Sequence, residues 1–486
     1  MTAFSRQRSK PLSRRIEGLS SSHRVNSRVS GYWSALVAFV GMVLSFVAPE
    51  CAAEAKWKAG TAKAVITPQK AIWMAGYAGR TAPAEEKFHD LLIRVVALED
   101  SAGKRGIVLA SDLLGIPKPI YENVCATLKT RYDLDRSQVM LHASHTHCGP
   151  VLSGALHDIY PLSEEQLNDV NDYSTWLTTE IVQTIGKAIG DLQPATVSRG
   201  MGTTDFAVNR RTNREADVPN LRENNLLYGP VDHSVPVLAI KRLDGSLKAV
   251  VFSYACHNTT LNFQKWCGDY AGFAQFGIEE QHPGALALFC MGCGADQNPL
   301  PRRTVELCKM YGSKLSACVE EILSRPLIPV ASKLEMRHAF VALAMGPAPT
   351  EERLEKLANE PPGYTQRWAS RLLHDLRAGV IHSREYDYPI QAWRLGGDQL
   401  WITLGGEVVV DFSLRLKAEL GDQIWVSSYT NDVMAYIPSK RVLLEGGYEG
   451  QSSMMIYGMP SERWADDVET RVVDGVFKVV ASLEGK

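Results

Sequence analysis

The sequence predicts a mixed α/β fold of the α+β type, in which β-sheets are flanked by helices. Short apolar runs rich in β-branched residues, at Leu91–Leu98 and Gly106–Ala110, are typical of buried strands. Helical spacing of apolar residues follows over Pro119–Tyr132, and a longer stretch of it covers Ser163–Leu192. Strand and helix patterns therefore alternate within one chain, which favours sheets covered by helices.

The other predicted elements follow in chain order. Patterns typical of strands occur at Lys63–Pro68, Val197–Thr203, Asp205–Val208, Ser234–Lys241, Leu247–Ala255, Ala285–Cys290, Gln399–Leu404 and Trp425–Thr430. Helices are predicted to start near Gly268, to span Thr304–Leu323, to form two segments within Thr350–Val380 and to run from Glu407 to Leu420. Two pairs of strands are joined by short polar loops and are predicted to be hairpins, Leu91–Leu98 with Gly106–Ala110 and Ser234–Lys241 with Leu247–Ala255.

Composition and charge set limits on the class of protein. The chain has 486 residues, of which 45% are hydrophobic and 22% charged, an ordinary balance for a globular protein with a large core. Its formal charge is −2, although residues 1–53 hold seven Lys and Arg residues against two Asp and Glu residues. A mildly acidic remainder gives no reason to expect binding to nucleic acid.

The first 53 residues have the pattern of a secretory signal sequence. Seven Lys and Arg residues precede an apolar run at Ala35–Ala48, and Cys51–Ala55 offers a cleavage site of small residues. The run is shorter than the roughly 20 residues that span a membrane. We therefore expect a signal peptide at residues 1–53, a single catalytic domain at residues 54–486, and export to the periplasm or the medium. The alternative is that the same segment stays uncleaved as an anchor. Pairing among the eight cysteines after Cys51 is left open.

The segment Met140–Pro150 carries three histidines and ends in a turn signal. Side chains of an extended chain alternate between faces, so we expect His145 and His147 to point the same way. Imidazole is a common zinc ligand, and a catalytic zinc usually has about three protein ligands and an open position. Two histidines alone do not complete such a site. The competing interpretation is that backbone groups at a strand end satisfy both rings.

Three further residues are candidates because of where the predicted elements place them. His257 follows a strand end, as His145 does. Arg210 comes directly after a strand and could clamp an anion or a polarised carbonyl, although an arginine there is more often solvated. Glu407 at a predicted helix start suits the helix dipole and can also reach a metal. The pair Cys290 and Cys293 is a weak zinc signal because no second such pair accompanies it.

In chain order, these motifs resemble the neutral, non-lysosomal ceramidases, and specifically their N-terminal catalytic domain. The matching stretches are Ser144-His-Thr-His147 with Gly149-Pro150, Asn209-Arg210, His257, Asp269-Tyr-Ala-Gly272, Glu407, Tyr436-Ile437 and Tyr448-Glu449. Only the first is distinctive alone. The resemblance implies that His145, His257, Glu407 and Tyr436 bind one Zn²⁺ ion.

The same resemblance implies the chemistry. His147 and Arg210 would contact the reacting amide, and Tyr448 would assist. A zinc-activated water, whose pKa falls to about 7, would attack an N-acyl amide such as a ceramide-like lipid. His147 would then serve as acid and base, and Arg210 would stabilise the oxyanion. The implied partner is a small-molecule or lipid amide, with peripheral membrane contact for a lipid.

Two departures from the family bear on substrate and extent. Ceramidases carry a serine near the substrate head group where Gln297 stands in the loop Gly294–Pro299, so recognition of a different amide or lipid is expected. The family's C-terminal immunoglobulin-like domain is expected to be absent. Another zinc hydrolase of amides or esters on this scaffold is the main alternative, and a non-catalytic exported binding protein is the second. A metallo-β-lactamase is set aside, because its motif continues with Asp-His, whereas Cys148 and Gly149 follow here.

Overall fold

Two packed β-sheets form the centre of the computed structural model, which describes residues 57–484. The larger sheet has the strand order β11-β9-β8-β6-β1-β3-β4-β5, with β13 beside β6, and the smaller has the order β14-β15-β16-β18. The strands are β1 (Trp57–Val65), β2 (Glu86–Lys87), β3 (Leu92–Glu99), β4 (Arg105–Ser111), β5 (Val139–Ala143), β6 (Gln193–Thr203), β7 (Ala207–Asn209), β8 (Ser234–Arg242), β9 (Leu247–Tyr254), β10 (Lys265–Trp266), β11 (Leu286–Met291), β12 (Gln297–Pro299), β13 (Ile328–Pro329), β14 (Leu334–Ala344), β15 (Glu385–Leu395), β16 (Gln399–Leu404), β17 (Glu407–Val408), β18 (Trp425–Ser427) and β19 (Tyr436–Ile437).

Helices cover the outer faces of the two sheets. Within residues 57–484 the α-helices are α1 (Lys118–Tyr132), α2 (Glu164–Gly190), α3 (Val218–Glu223), α4 (Asp269–Gln281), α5 (Val305–Leu323), α6 (Glu351–Ala358), α7 (Tyr364–Arg377), α8 (Val410–Leu420), α9 (Lys440–Glu445), α10 (Ser453–Ile456) and α11 (Val468–Glu484). Helix α2 packs on β1 and β3, α4 on β11, and α5 on β6 and β8, whereas α11 packs on β14 and β15. The order of layers is therefore helix, sheet, sheet, helix.

Aromatic side chains fill the space between the two sheets. Trp393 and Trp401 of the smaller sheet share a buried cluster with Val108 and Leu238 of the larger one. Gly106 of β4 makes this close approach possible, because a Cβ there would lie 2.7 Å from the Trp393 ring. Burying indole rings contributes a large part of the apolar stabilisation of such a core.

Strand ends from both sheets meet at one place, and this positions the site. Strand β5 runs parallel to β4, β11 parallel to β9, and β18 parallel to β16. Isolated bridges join His142 to Thr430 and Gly292 to Ser427, so the ends of β5 and β11 touch the segment that follows β18. The loops that leave these strands carry the candidate histidines and Glu407. Carboxyl ends of parallel strands commonly build such sites.

The predicted mixed fold is confirmed, and most predicted strands and helices occur with ends shifted by a few residues. The predicted helix Glu407–Leu420 is wrong at its start. Glu407 belongs to the short strand β17, and α8 begins only at Val410. Strands β14 and β15 and helix α11 were not predicted. The expected signal segment, residues 1–53, lies outside the described residues.

Two further findings concern the cysteines and the search for membrane-spanning helices. All eight cysteines in the described part of the chain are buried and free, including Cys290 and Cys293. Burial raises the pKa of both of these thiols, which favours neutral packing groups over zinc-binding thiolates. Between residues 57 and 484, no helix combines the length and apolar character needed to cross a membrane.

Candidate metal centre and its surroundings

His145 and His147 lie in the loop and turn that follow β5. They point the same way, but not because side chains alternate along a strand, as was expected. Strand β5 ends at Ala143, so both histidines come after it. His145 has a φ of 60°, in the left-handed region that few residues other than glycine adopt. The Nε2 atoms of the two rings are nevertheless 3.1 Å apart. Backbone strain of this kind is often found where function fixes a side chain.

Glu407 joins His145 to His257. Its Oε2 atom lies 3.1 Å from the Nε2 atom of each ring. The hydroxyl of Tyr436 is 3.2 Å from Nε2 of His257. Strands β17 and β19 pair in parallel with Glu407 opposite Tyr436, which explains how two residues so distant in sequence meet. All four residues of the ligand set implied by the resemblance thus lie around one point.

Backbone carbonyls fix the tautomers of the two flanking histidines. Nδ1 of His145 is 2.7 Å from the carbonyl of Leu114, and Nδ1 of His257 is 2.8 Å from that of Gly294. A carbonyl only accepts, so Nδ1 carries the proton and Nε2 presents a lone pair. Both lone pairs face the Glu407 carboxylate. Three acceptors converging on one buried point form an arrangement that could hold a cation.

The donor set fits a zinc ion. Donor atoms around a tetrahedral zinc with bonds of about 2.0 Å lie about 3.3 Å apart. The His145–Glu407 and His257–Glu407 separations are 3.1 Å, and the His257–Tyr436 separation is 3.2 Å. Metal-bound histidines almost always donate their other N–H to a carbonyl or carboxylate, as His145 and His257 do here. Imidazole nitrogens and a carboxylate oxygen are among the ligands found in catalytic zinc sites.

Burial and the neighbouring side chains shift the pKa values of Glu407 and His257. Burial alone would raise the pKa of Glu407, but the His145 and His257 rings outweigh it and hold that pKa well below its usual range. Burial lowers the pKa of His257 to about 4, and Arg210 acts in the same direction. The site therefore holds an ionised carboxylate beside a neutral imidazole, which is the state needed to bind a metal.

His147 differs from the other two histidines. Its Nε2 lies within the cluster, and the metal-binding atoms of His145, His147 and His257 are all within 4.8 Å of one another. Its Nδ1, however, is buried and has no hydrogen-bond partner in the described part of the chain. A metal-bound His147 would bury an unsatisfied N–H, which costs about 1–3 kcal/mol. This contrast favours the predicted role next to the metal over a role as ligand.

Arg210 is held by three side chains at the edge of the site. Its guanidinium donates to Glu449 at 2.8 Å, to Asn298 at 3.2 Å and to the Tyr436 hydroxyl at 3.1 Å. The Tyr448 ring lies 5.7 Å from its central carbon. Arg210 is thus a fixed group and not a solvated arginine. The structure brings together all seven residues singled out from the sequence: His145, His147, Arg210, His257, Glu407, Tyr436 and Tyr448.

Comparison with known proteins agrees with this geometry. Residues 57–289 match the family described as "Neutral/alkaline non-lysosomal ceramidase, N-terminal". This segment is therefore similar in sequence to the N-terminal domain of that family. A curated relative, the neutral ceramidase of Pseudomonas aeruginosa, is 28% identical over 245 residues, which are 48% of this chain and 34% of the relative. The matched region therefore spans about a third of that ceramidase.

Solved ceramidase structures share the fold. The crystal structure of neutral ceramidase from Pseudomonas aeruginosa aligns with a TM-score of 0.65 at 21% identity, covering 88% of this chain and 75% of that one. A ceramidase complexed with C2 aligns with a TM-score of 0.66 at 19% identity and the same coverage. At these identities the likeness establishes the ceramidase fold.

Gln297 has a structural role, and this corrects the expectation drawn from its replacement of the ceramidase serine. Its side chain is fully buried. The amide nitrogen donates to the Ala255 carbonyl at 2.7 Å, and the amide oxygen accepts from the Asp232 backbone N–H at 3.1 Å. Because these polar atoms are engaged by the backbone, Gln297 holds the loop that follows β9. The substitution therefore does not by itself predict a changed head group.

Two tyrosines that were not selected from the sequence belong to the candidate metal centre. The Tyr429 hydroxyl donates to Oε2 of Glu407 at 3.2 Å, and the Tyr457 hydroxyl donates to Oε1. Both hold the carboxylate in place. Tyr429 follows a strand end, as His257 does, and that was the available signal. Tyr457 follows a short helix with no distinctive pattern.

Proposed function

We propose that this protein is a zinc-dependent amidohydrolase that cleaves an N-acyl amide of the ceramide type. The observation that carries the proposal is that Oε2 of Glu407 lies 3.1 Å from Nε2 of both His145 and His257. His145, His257, Glu407 and Tyr436 would hold the ion. When bound, zinc supplies Lewis acidity that lowers the pKa of water and polarises a carbonyl. The match of residues 57–289 to the ceramidase family model supports the same reaction class.

His147 would move the protons. Burial, together with the His145 and His257 rings, holds the pKa of His147 well below its usual value, so the resting ring is neutral, the form in which a general base acts. In the hydrolysis, water oxygen bonds to the carbonyl carbon and the carbon–nitrogen bond breaks. The proton taken by His147 passes to the departing nitrogen, which leaves poorly as an anion.

Arg210 would stabilise negative charge on the carbonyl oxygen. Three of its five N–H groups are engaged by Glu449, Asn298 and Tyr436, and the others remain able to donate. A guanidinium fixed before the reaction needs no reorganisation when charge develops, which is the basis of oxyanion stabilisation. Tyr448, packed 5.2 Å from the Tyr436 ring, would close the same side.

Export is part of the proposal, on the basis of the basic and apolar segments in residues 1–53. A ceramide-like substrate resides in membranes, so we infer peripheral contact with a lipid surface. The zinc content and the cleavage of a lipid amide are independent of export and are tested first.

The direct test is hydrolysis of an N-acyl-sphingosine by the purified protein. We expect metal-dependent release of fatty acid, loss of activity after a chelator, and recovery when Zn²⁺ is restored. Calcium, which prefers oxygen ligands, should not restore it. Activity that survives complete removal of the metal would contradict the proposed mechanism. Zinc binding without turnover of this amide or of other amides and esters would favour a binding protein.

Gly76 offers a way to disturb His147 without altering a ligand. It has a φ of 99°, and a Cβ there would lie 2.4 Å from Nδ1 of His147. Gly76→Ala is expected to displace the ring and lower kcat by roughly 10²-fold or more, approaching the loss of a general acid/base, while metal content is retained. Metal analysis and steady-state kinetics check both parts.

The matched control lies in the same loop. Gly79 has open space where a Cβ would be added, so Gly79→Ala should keep both zinc and activity. Circular dichroism would establish that both variants are folded, since alanine at the Gly76 backbone angle is strained. Unchanged kinetics for a folded Gly76→Ala would show that His147 need not occupy its present position.

A further inference from the structure

His147 lacks the hydrogen bond that orients the other two histidines of the candidate metal centre. His145 and His257 each donate from Nδ1 to a backbone carbonyl, at 2.7 Å and 2.8 Å. Nδ1 of His147 is buried and has no hydrogen-bond partner among residues 57–484. A general acid/base acts only when it is held in the right place, so other contacts have to orient this ring.

The ring of Tyr77 lies against the His147 imidazole. The two ring centroids are 4.5 Å apart, and the planes are inclined by 55°. The Tyr77 hydroxyl donates to the Leu261 carbonyl at 3.0 Å, and the Tyr160 hydroxyl donates to the Tyr77 carbonyl at 3.2 Å. Both the side chain and the backbone of Tyr77 are therefore fixed. A fixed aromatic ring restricts the rotation of the imidazole that packs against it.

Arg80 holds the backbone of His147. Its Nη2 atom donates to the His147 carbonyl at 2.7 Å, and Nη1 donates to the Phe263 carbonyl at 3.1 Å. Its guanidinium carbon lies 5.4 Å from the centre of the Tyr77 ring. A planar guanidinium presents several donors in a rigid fork, so one side chain can join the loop of His147 to the loop that follows His257.

The charge of Arg80 is unfavourable at this position. Only 7% of the residue is exposed, and its Nε atom has no hydrogen-bond partner among the described residues. In the same part of the chain, its acceptors are two backbone carbonyls and the side-chain amide oxygen of Gln264. A buried charge that no carboxylate neutralises lowers stability. Costs of this kind are expected at functional sites.

We infer that Tyr77 and Arg80 are positioning residues for His147. Tyr77 holds the imidazole ring, and Arg80 holds the backbone that carries it. The inference rests on the proposed function, in which His147 moves the protons during amide hydrolysis. Both residues act through His147, so each is needed for turnover but not for zinc binding.

Tyr77→Leu and Arg80→Gln are expected to lower kcat by roughly 10–10²-fold, the scale of loss that follows a misplacement of about 1 Å. The kcat is expressed per bound zinc, so that any unfolded fraction is not counted. Zinc content and KM should stay close to those of the unchanged protein. Tyr77→Phe keeps the aromatic ring and should keep most of the kcat. An equal loss in Tyr77→Phe and Tyr77→Leu overturns the assignment of the ring contact.

Tyr173→Leu and Arg242→Gln are the matched controls. The Tyr173 hydroxyl on α2 donates to a backbone carbonyl at 2.5 Å, as Tyr77 does near the centre. Arg242 donates to two backbone carbonyls at 2.6 Å and 2.8 Å, at the end of the β8–β9 hairpin opposite to His257. Both changes should lower stability and leave the kcat per zinc unchanged. A fall in kcat as large as that of Tyr77→Leu or Arg80→Gln overturns the inference.

A double-mutant cycle separates positioning from a general structural role. If Tyr77 acts through His147, adding Tyr77→Leu to His147→Ala should lower kcat little further, because the group to be positioned is already absent. Arg80→Gln should behave in the same way in that background. A full additional loss of 10–10²-fold in both cycles overturns the inference.

The position of the His147 ring gives a test that does not depend on turnover. Crystal structures of zinc-loaded Tyr77→Leu and Arg80→Gln should show the imidazole displaced or disordered, with His145 and His257 in place. An imidazole that keeps its position in both variants overturns the inference, whether or not an amide is cleaved. A displaced ring in a protein that cleaves no amide overturns the proposed hydrolysis but supports the positioning of His147.

Discussion

Glu407→Ala is expected to abolish stoichiometric zinc binding and, with it, amide hydrolysis. Oε2 of Glu407 lies 3.1 Å from Nε2 of both flanking histidines, and its carboxylate would supply the negative charge that offsets the ion. The dissociation constant for Zn²⁺ should rise by more than the 10–100-fold that follows when a residue behind the ligands is changed. Elemental analysis and competition with a chelator measure the effect.

The control is a partly buried, ion-paired carboxylate elsewhere in the fold. Glu279 pairs with Arg94 at 3.0 Å and with Lys63 at 2.9 Å, away from the histidines. Glu279→Ala should lower stability yet keep one zinc per chain. His257→Ala should behave like Glu407→Ala. Full metal occupancy with unchanged affinity in either variant would show that the assigned ligands are wrong.

His147→Ala is expected to keep its zinc and lose turnover by roughly 10²–10⁴-fold, the contribution typical of a general acid/base. The reason is that the Nδ1 atoms of the three histidines differ in their hydrogen-bond partners. His145 and His257 each have a backbone acceptor for that proton, whereas His147 has none among the described residues. Metal content and kcat are measured on the same preparation.

His145→Ala provides the comparison, since it should lose both zinc and activity. If His147→Ala also lost its zinc, His147 would be a ligand and the proton would have to be carried by another group. A rise in KM alone, with kcat unchanged, would place His147 in substrate binding instead.

The pattern of the sequence predicted most of the elements and singled out His145, His147, Arg210, His257 and Glu407, whereas Tyr436 and Tyr448 came only from the resemblance to a family. Apolar runs marked the strands that end before His145 and His257, and hairpin loops marked their neighbours. Long-range pairing could not be obtained in this way. The contact of Glu407 with Tyr436 depends on a parallel ladder of two residues, which is too short to leave a periodic signal.

Local backbone conformation limited the predictions in a different way. His145 and His147 were expected to align because strand residues alternate, yet they align because His145 adopts a positive φ after the strand has ended. Only tertiary contacts, such as the hydrogen bond from its ring to Leu114, stabilise that conformation. Similarly, the role of Gln297 depends on the carbonyl of Ala255, which a residue-by-residue comparison does not show.

The central claim is that His145, His257, Glu407 and Tyr436 form one zinc site with His147 beside it. Anomalous X-ray scattering from crystals of the protein, recorded on both sides of the zinc absorption edge, tests it most directly. We predict a single peak about 2.0–2.1 Å from Nε2 of His145 and of His257, with Nε2 of His147 beyond bonding distance. A peak bonded to His147, or no zinc peak among these residues in protein purified without a chelator, would contradict this account.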